Sequence, residues 1–313
     1  MKPRTTIIQH FTGDFEALEG HLSALNEELE TRGAGDEVVL VDDTDEGLLQ
    51  AWVDERFPVM RVVRKNLREG RAKAYLMGAQ AATCELILML GPDKRVRPGT
   101  LGPLITAIQG PNILALAPRI VHGDNGAPDL PGALTIEQGR PVVLPPVTTE
   151  DEPHMHNIPF ASGGACFMRR DVFLSRGGFD ELFMASYWED VDMGLSGWRQ
   201  GMRVLEVPQS IVEHHPAVDP DVLVPQPISQ AAVERGRLLL YWKHLDKRRD
   251  AADHVQGLWR DAVDAALGDR REDLVWLALA LDDMGAATDA RVKLSPVQRS
   301  LADALRASDP TVI

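Results

Sequence analysis

Cysteine is scarce in this chain. There are two among 313 residues, Cys84 and Cys166, too far apart in sequence for a close metal-ligand motif, and they read as reduced thiols. Long apolar runs are missing too: none approaches the ~20 residues that span a bilayer. Met1 leads into Ile7-Ile8 with no signal-peptide core, so a cytoplasmic location is expected. Positive charge is in short supply, with 33 Lys and Arg against 47 Asp and Glu and a net charge of -14. That balance excludes the clustered basic surface that nucleic-acid phosphates demand and a broad grip on anionic lipid. No glycine-rich, lysine-containing loop stands near the N-terminus, which argues against a nucleotidyltransferase, and no Ser/His/Asp nucleophile arrangement is visible. Hydrophobic residues still make up 44%, enough for one large α/β domain with an appendage or two modest domains.

Strand and helix signals alternate through the first half. Short apolar runs at Thr5–Gln9, Glu37–Val41, Val59–Val63 and Glu85–Leu90 read as buried parallel strands. Between them, Phe15–Arg32 carries Leu18, Leu22, Leu25 and Leu29 at helical spacing, and Gly47–Phe57 and Gly70–Thr83 read as further helices. This order predicts a doubly wound sheet with ligands at the carboxyl ends of its strands. Residues 122–160, rich in Pro, Gly, Asp and Glu, read as a long surface excursion with a hairpin around Leu134–Val143. A strand follows at Cys166–Met168, then a helix from Glu189 through Arg199 and a strand from Arg203 to Val207, closed by Pro208. From about residue 227 the chain turns helical, and these helices are a candidate homodimer contact.

The chemistry-bearing residues fall in four groups. Asp42 and Asp43 stand where the second strand leaves the sheet, as ribose or base acceptors or as part of a solvated acidic loop with Asp45 and Glu46. Asn66, Gly70, Arg71 and Lys73 gather at a helix start, where free N–H groups and cations favour an anion; Arg and Lys are also common on exposed helix faces. Asp93 follows the fourth strand in Gly91-Pro-Asp-Lys-Arg. A hard divalent ion accepts such a carboxylate together with phosphate and water oxygens, while Lys94 and Arg95 offer a metal-independent hold on phosphate. The last group runs from Ser162-Gly163-Gly164 through Gly177-Gly-Phe-Asp180 and Trp188-Glu189-Asp190-Val-Asp192 to His214-His215. Acidic residues open a helix for capping reasons alone, and a histidine pair is often only a surface feature. Asp190, Gly194, Gly197 and Gly201 share one helix face, which either opens space above the carboxylate or permits close packing.

The order of these motifs resembles family 2 glycosyltransferases, in particular the rhamnosyltransferase-like bacterial branch, over roughly residues 5–245. The resemblance implies an α/β GT-A-type doubly wound mixed sheet flanked by helices, with a helical C-terminal extension. It divides the chain into a glycosyltransferase domain, 1–226, and a helical region, 227–313. Within the domain, 1–121 would bind nucleotide and 122–226 acceptor. The implied reaction moves a sugar from a UDP-, dTDP- or GDP-linked donor to a glycan or lipid-linked acceptor with inversion, as in polysaccharide biosynthesis. It makes Asp190 the general base, with Glu189 in support. Asp42, Asp43, Asn66, Gly70, Arg71 and Lys73 would hold the nucleotide, and Gly163, Gly164 and Asp180 the acceptor. Asp93 and His214 would hold Mn2+ or Mg2+. Two positions depart from the family pattern: His10-Phe11 replaces the Tyr-Asn after strand one, and Gly91 replaces the first polar residue of the metal motif. Gly91 is the best support for the alternative, a catalytically silent nucleotide-binding or scaffold protein of the same fold.

Overall fold

The computed structural model describes residues 3–64, 69–129, 132–137, 139–144, 154–162, 164–184, 188–215, 230–270 and 274–310. Asn66, Gly163 and the 226/227 boundary lie outside these residues. The first half alternates as expected: β1 (Thr5–Phe11), α1 (Phe15–Arg32), β2 (Glu37–Asp42), α2 (Leu49–Arg56), β3 (Arg61–Arg64), α3 (Arg71–Ala81) and β4 (Leu86–Leu90). Helix α1 starts where the Asp14 carboxylate accepts from the Ala17 N–H, and stops at Gly33 in the left-handed region.

The second half adds β5 (Lys94–Val96), α4 (Leu101–Ala107), β6 (Ile113–His122), β7 (Pro128–Asp129), β8 (Leu134–Glu137), β9 (Arg140–Val143), β10 (His156–Asn157), β11 (Ala165–Arg169), α5 (Arg170–Ser175), α6 (Glu189–Arg199) and β12 (Arg203–His214). The main sheet runs β10-β12-β6-β11-β4-β1-β2-β3. Strands β1 to β4 are mutually parallel, β11 enters antiparallel between β4 and β6, and β12 runs parallel to β6. The carboxyl ends of β1, β2, β4, β6 and β12 therefore meet the amino end of β11 at one edge of the sheet, which is where ligands bind in open α/β sheets.

Alternation along the strands divides the core into two layers. Ile8, Val41, Ile87 and Met89 face α3, α5, α6 and the C-terminal helices. Ile7, Leu40 and Leu88 face α1, α2 and α4. The C-terminal helices α7 (Gln230–His244), α8 (Arg248–Leu267), α9 (Val275–Asp282), α10 (Met284–Lys293) and α11 (Leu301–Ser308) share the first layer through Leu238, Leu239, Leu240, Ala280, Ala287, Leu301 and Ala304. Helix α8 still leaves Val255, Trp259 and Leu267 exposed, at positions that recur every turn or two.

Two local expectations change, and one open alternative is decided. Strand β12 does not stop before Pro208: a register shift between Val207 and Ile211 absorbs the proline, which has no N–H to give the ladder, and pairing resumes to His214. The 134–143 hairpin forms but is no free surface excursion, because Leu134 is buried and the Gly139 carbonyl bonds Nδ1 of His254 in α8 at 2.7 Å. The glycines of α6 serve close packing rather than open space. A Cβ on Gly194 would lie 2.3 Å from the Pro159 carbonyl oxygen, and one on Gly197 would lie 2.4 Å from a Leu114 methyl.

Gly194→Ala tests this directly. Helix propensity favours alanine by about 1 kcal/mol, yet the backbone neighbours cannot swing aside as a side chain can. A net loss of about 1–3 kcal/mol is expected in urea unfolding; a stabilised variant would show that the contact yields.

Candidate active site

The acidic start of α6 is buried, although acids at a helix start usually sit in solvent. All eleven residues from Glu189 to Arg199 are buried, and buried carboxylates need partners. Arg71, first residue of α3, supplies one. Its Nε and Nη2 donate to Glu189 Oε1 at 3.1 and 2.6 Å, and Nη2 lies 3.7 Å from Asp190 Oδ2. Burial works against the Arg71 charge, but Glu189 and Asp190 outweigh it and hold the guanidinium above its ordinary pKa. Asp190 Oδ1 accepts from the Val191 N–H at 2.8 Å. Glu189 Oε2 has no hydrogen-bond partner among the described residues.

Arg71 is placed by Gly70 and Asp43. Gly70 takes φ +84°, a conformation that residues with a Cβ rarely adopt. The Asp43 carboxylate accepts from the N–H groups of Glu69 and Gly70, each at 3.0 Å, and lies 3.1 Å from His10 Nε2. Asp42 accepts from the Thr44 N–H and hydroxyl at 3.1 and 2.7 Å. Both aspartates are buried, but only Asp43 ties its strand end to the start of α3. Lys73 instead reaches Glu69 and Glu181 at 3.3 and 3.7 Å.

The second cluster forms where β5 pairs with β12. Their antiparallel register sets His214 opposite Lys94, just beyond Asp93. His214 Nε2 lies 2.8 Å from Asp93 Oδ2, and Lys94 Nζ lies 2.7 Å from the same oxygen. Burial pushes the Asp93 carboxyl up, but the His214 hydrogen bond and the Lys94 ammonium prevail and hold it well below the usual carboxylate range. His122, at the end of β6, stacks on His214 with ring centres 5.7 Å apart. His215 turns away to Glu213 at 2.9 Å. His21 on α1 is buried and its pKa is lowered to about 4, first by desolvation and then by His215.

One carboxylate and one imidazole thus converge, and among the described residues no group of three His, Cys, Asp or Glu joins them. A hard ion that takes its remaining ligands from phosphate and water fits this pair, and His and Asp are suitable donors. Gly91 adds no side chain: a Cβ there would lie 2.8 Å from Asp93 Oδ1. Its N–H instead donates to the Gly164 carbonyl at 2.8 Å, which places Gly164 beside the Asp93 turn.

Tyr75 is a buried polar residue that the sequence reading missed. It is one turn beyond Arg71 on α3, fully buried, and its hydroxyl has no hydrogen-bond partner among the described residues. Burial raises its pKa, and the hydroxyl also feels Arg71, Asp93, Cys166 and Glu189. Spacing of i, i+4 from Arg71 was the available signal for it.

Asp180 stands apart from these clusters. One of its oxygens accepts from the Leu182 N–H at 3.0 Å, and the other pairs with Lys243 Nζ at 2.8 Å. Lys243 also meets Asp192 at 2.7 Å, and His244 Nε2 meets Asp192 at 2.9 Å. Burial would raise the Asp192 pKa, but Lys243 and the His244 bond lower it on balance. This buried network ties α6 to α7. Nothing in the sequence around Lys243 and His244 announces it.

The glycosyl transferase family 2 profile matches residues 16–176, just over half of the chain. The chain belongs to glycosyl transferase family 2. Curated relatives of this family 2 chain include human polypeptide N-acetylgalactosaminyltransferase 6, 26% identical over 260 residues, covering 76% of this chain and 41% of that protein. Rat polypeptide N-acetylgalactosaminyltransferase 10 is 27% identical over 192 residues, covering 57% and 32%. The chain spans less than half the length of these relatives. Among solved structures the fold is similar to GalNAc-T7 with UDP, GalNAc and Mn2+, at 16% identity and TM-score 0.58 over 76% of this chain and 48% of that one. It is also similar to the mannosyltransferase PcManGT from Pyrobaculum calidifontis with GDP-Man and Mn2+, at 15% identity and TM-score 0.51 over 94% and 87%. The expected GT-A architecture is the one observed. Among the described residues no helix is long and apolar enough to cross a membrane.

Replacing Arg71 with Met leaves Glu189 buried without its partner, which should cost about 3–5 kcal/mol. Arg71→Lys keeps the charge without the fork and should cost less. Urea unfolding of both variants checks this; equal stability of Arg71→Met and the parent would dissolve the clamp.

Proposed function

We propose that this family 2 chain transfers a hexosyl or deoxyhexosyl group from a nucleoside diphosphate sugar to an acceptor hydroxyl, with inversion. The observation that carries the reading is the Arg71 fork, which holds the Glu189–Asp190 pair at the sheet edge where Asp93 and His214 meet. The UDP and GDP-mannose complexes of the similar structures, both with Mn2+, support a nucleotide-sugar donor and a divalent cofactor. The motif order supports a donor of the kind used by the rhamnosyltransferase-like branch.

In this reading residues 1–121 bind the nucleotide, 122–226 the acceptor, and 227–313 brace the acceptor side. Asp190 accepts the proton of the acceptor hydroxyl as its oxygen attacks the anomeric carbon. Glu189, fixed through Oε1 by Arg71, keeps Oε2 free to orient that hydroxyl. Arg71 itself stays protonated and holds both carboxylates in place. Asp93 and His214 would hold Mn2+ or Mg2+, which supplies Lewis-acid stabilisation of the departing diphosphate. Asp42, Asp43 and Gly70 would serve the nucleoside end, with Lys73 beside them. Gly164 and Asp180 would serve the acceptor, a glycan or lipid-linked alcohol. Asn66 and Gly163 join these two groups by motif alone. The exposed stripe on α8 supports a homodimer contact. The silent-scaffold reading draws on Gly91, and it requires nucleotide binding without turnover across a broad acceptor panel.

Asp190→Asn should bind nucleotide as the parent does and lose transfer by at least about a hundredfold. Product formation and calorimetric nucleotide binding, measured on the same preparation, decide it. Comparable transfer in the variant would remove Asp190 as the base. Asp93→Ala should weaken UDP, GDP or dTDP binding only when Mn2+ or Mg2+ is present, and an unchanged metal response would move the ligand role elsewhere.

A further inference from the structure

The Asp93 turn contains a cation of its own. Lys94 is only 7% exposed, an unusual place for an ammonium group, which is strongly hydrated and rarely buried unless paired. Its Nζ has three donors. One goes to Asp93 Oδ2 at 2.7 Å, the sole carboxylate within ion-pair distance of it among the described residues. Its Cε and Nζ pass over Gly164, where a Cβ would lie 3.3 and 3.6 Å from them. The absence of a side chain at Gly164 therefore gives Lys94 its room. Gly91 is bare on the other side of the same turn, and a Cβ there would crowd Asp93 Oδ1 at 2.8 Å. A second acidic ligand is thus missing where a cationic side chain is present, and the backbone is tied into this form by the Gly91–Gly164 hydrogen bond. Asp93 Oδ2 is already shared by Lys94 and His214.

We propose that Lys94 is a built-in counter-cation for the donor diphosphate, so that this chain binds a nucleoside diphosphate in the absence of any divalent metal. The inference rests on the donor-site reading given above and refines it. The two remaining N–H bonds of the ammonium group meet phosphate oxygens as a point charge. The lysine charge offsets the negative charge that gathers on the departing diphosphate. A divalent ion at Asp93 and His214 then strengthens binding without being required for it.

The test is calorimetry of UDP, GDP and dTDP on the purified full chain, in EDTA and in Mn2+, for the parent, Lys94→Met and Lys94→Arg. The parent should bind one of the nucleotides in EDTA. Lys94→Met should weaken that binding by about ten- to a hundredfold, the value of a charged hydrogen bond, and Lys94→Arg should recover part of it. The loss should be smaller in Mn2+. Binding by the parent only in Mn2+ overturns the Lys94 inference and leaves the donor site standing. Equal binding by parent and Lys94→Met in EDTA overturns it likewise. Failure of all three nucleotides in both buffers overturns the donor site itself. Should Lys94→Met not fold, inorganic pyrophosphate titrated into the parent in EDTA serves instead. Salt-sensitive binding that competes with the nucleotide supports the proposal, and no binding overturns it.

Discussion

The arrangement depends on one interaction, the buried fork of Arg71 on Glu189 with Asp190 alongside. Burying two carboxylates at a helix start is unfavourable without a cation, and the nearest one comes from the other half of the sheet. Arg71 begins α3, whose entry is set by Asp43 and by the left-handed Gly70. Asp43 in turn is held by His10 at the end of β1. The acids of α6 are therefore positioned, through three side chains, by the ends of the first two strands. The ion pair joins the start of α3 to the start of α6, and neither element completes it alone.

The same logic recurs on the other side of α6. Asp192 faces away from Arg71; Lys243 of α7 balances its charge and His244 hydrogen-bonds to it, with Asp180 sharing the lysine. Helix α6 is thus clamped by cations from both directions, one from α3 and one from the C-terminal region. This explains why the C-terminal helices share the core rather than hang from it. Their apolar residues lie in the layer that covers α3 and α6, and their charges balance α6 from behind.

Much of this was legible in the residues, for physical reasons that differ by element. The parallel strands and α1 declare themselves through continuous apolar runs and a leucine periodicity, which are local signals. Asp93, His214, Glu189 and Asp190 stand out because carboxylates and imidazoles near strand ends and helix starts are chemically distinctive. The use made of Asp42 and Asp43 was not legible, because a hydrogen bond from the Gly70 N–H to Asp43 depends on tertiary approach. The α6 glycines were ambiguous for the same reason: an open face and a tightly packed face have one sequence pattern. The Asp192–Lys243–His244 network joins residues about fifty positions apart, and no local pattern encodes it. His214 was singled out in the sequence, yet its place inside β12 was not, since a bulge at Pro208 has no sequence mark beyond the proline that also ends strands.

The measurement that bears most directly on the central claim is amide hydrogen exchange of the full chain, with and without UDP, GDP or dTDP. If the two clusters form one donor site, protection should rise together in the Asp93 turn, at the end of β12 and at the start of α3. The helices from residue 275 onward should exchange as before. Protection confined to those helices, or to the Asp93 turn with the start of α3 unchanged, would contradict a single site built across the sheet edge.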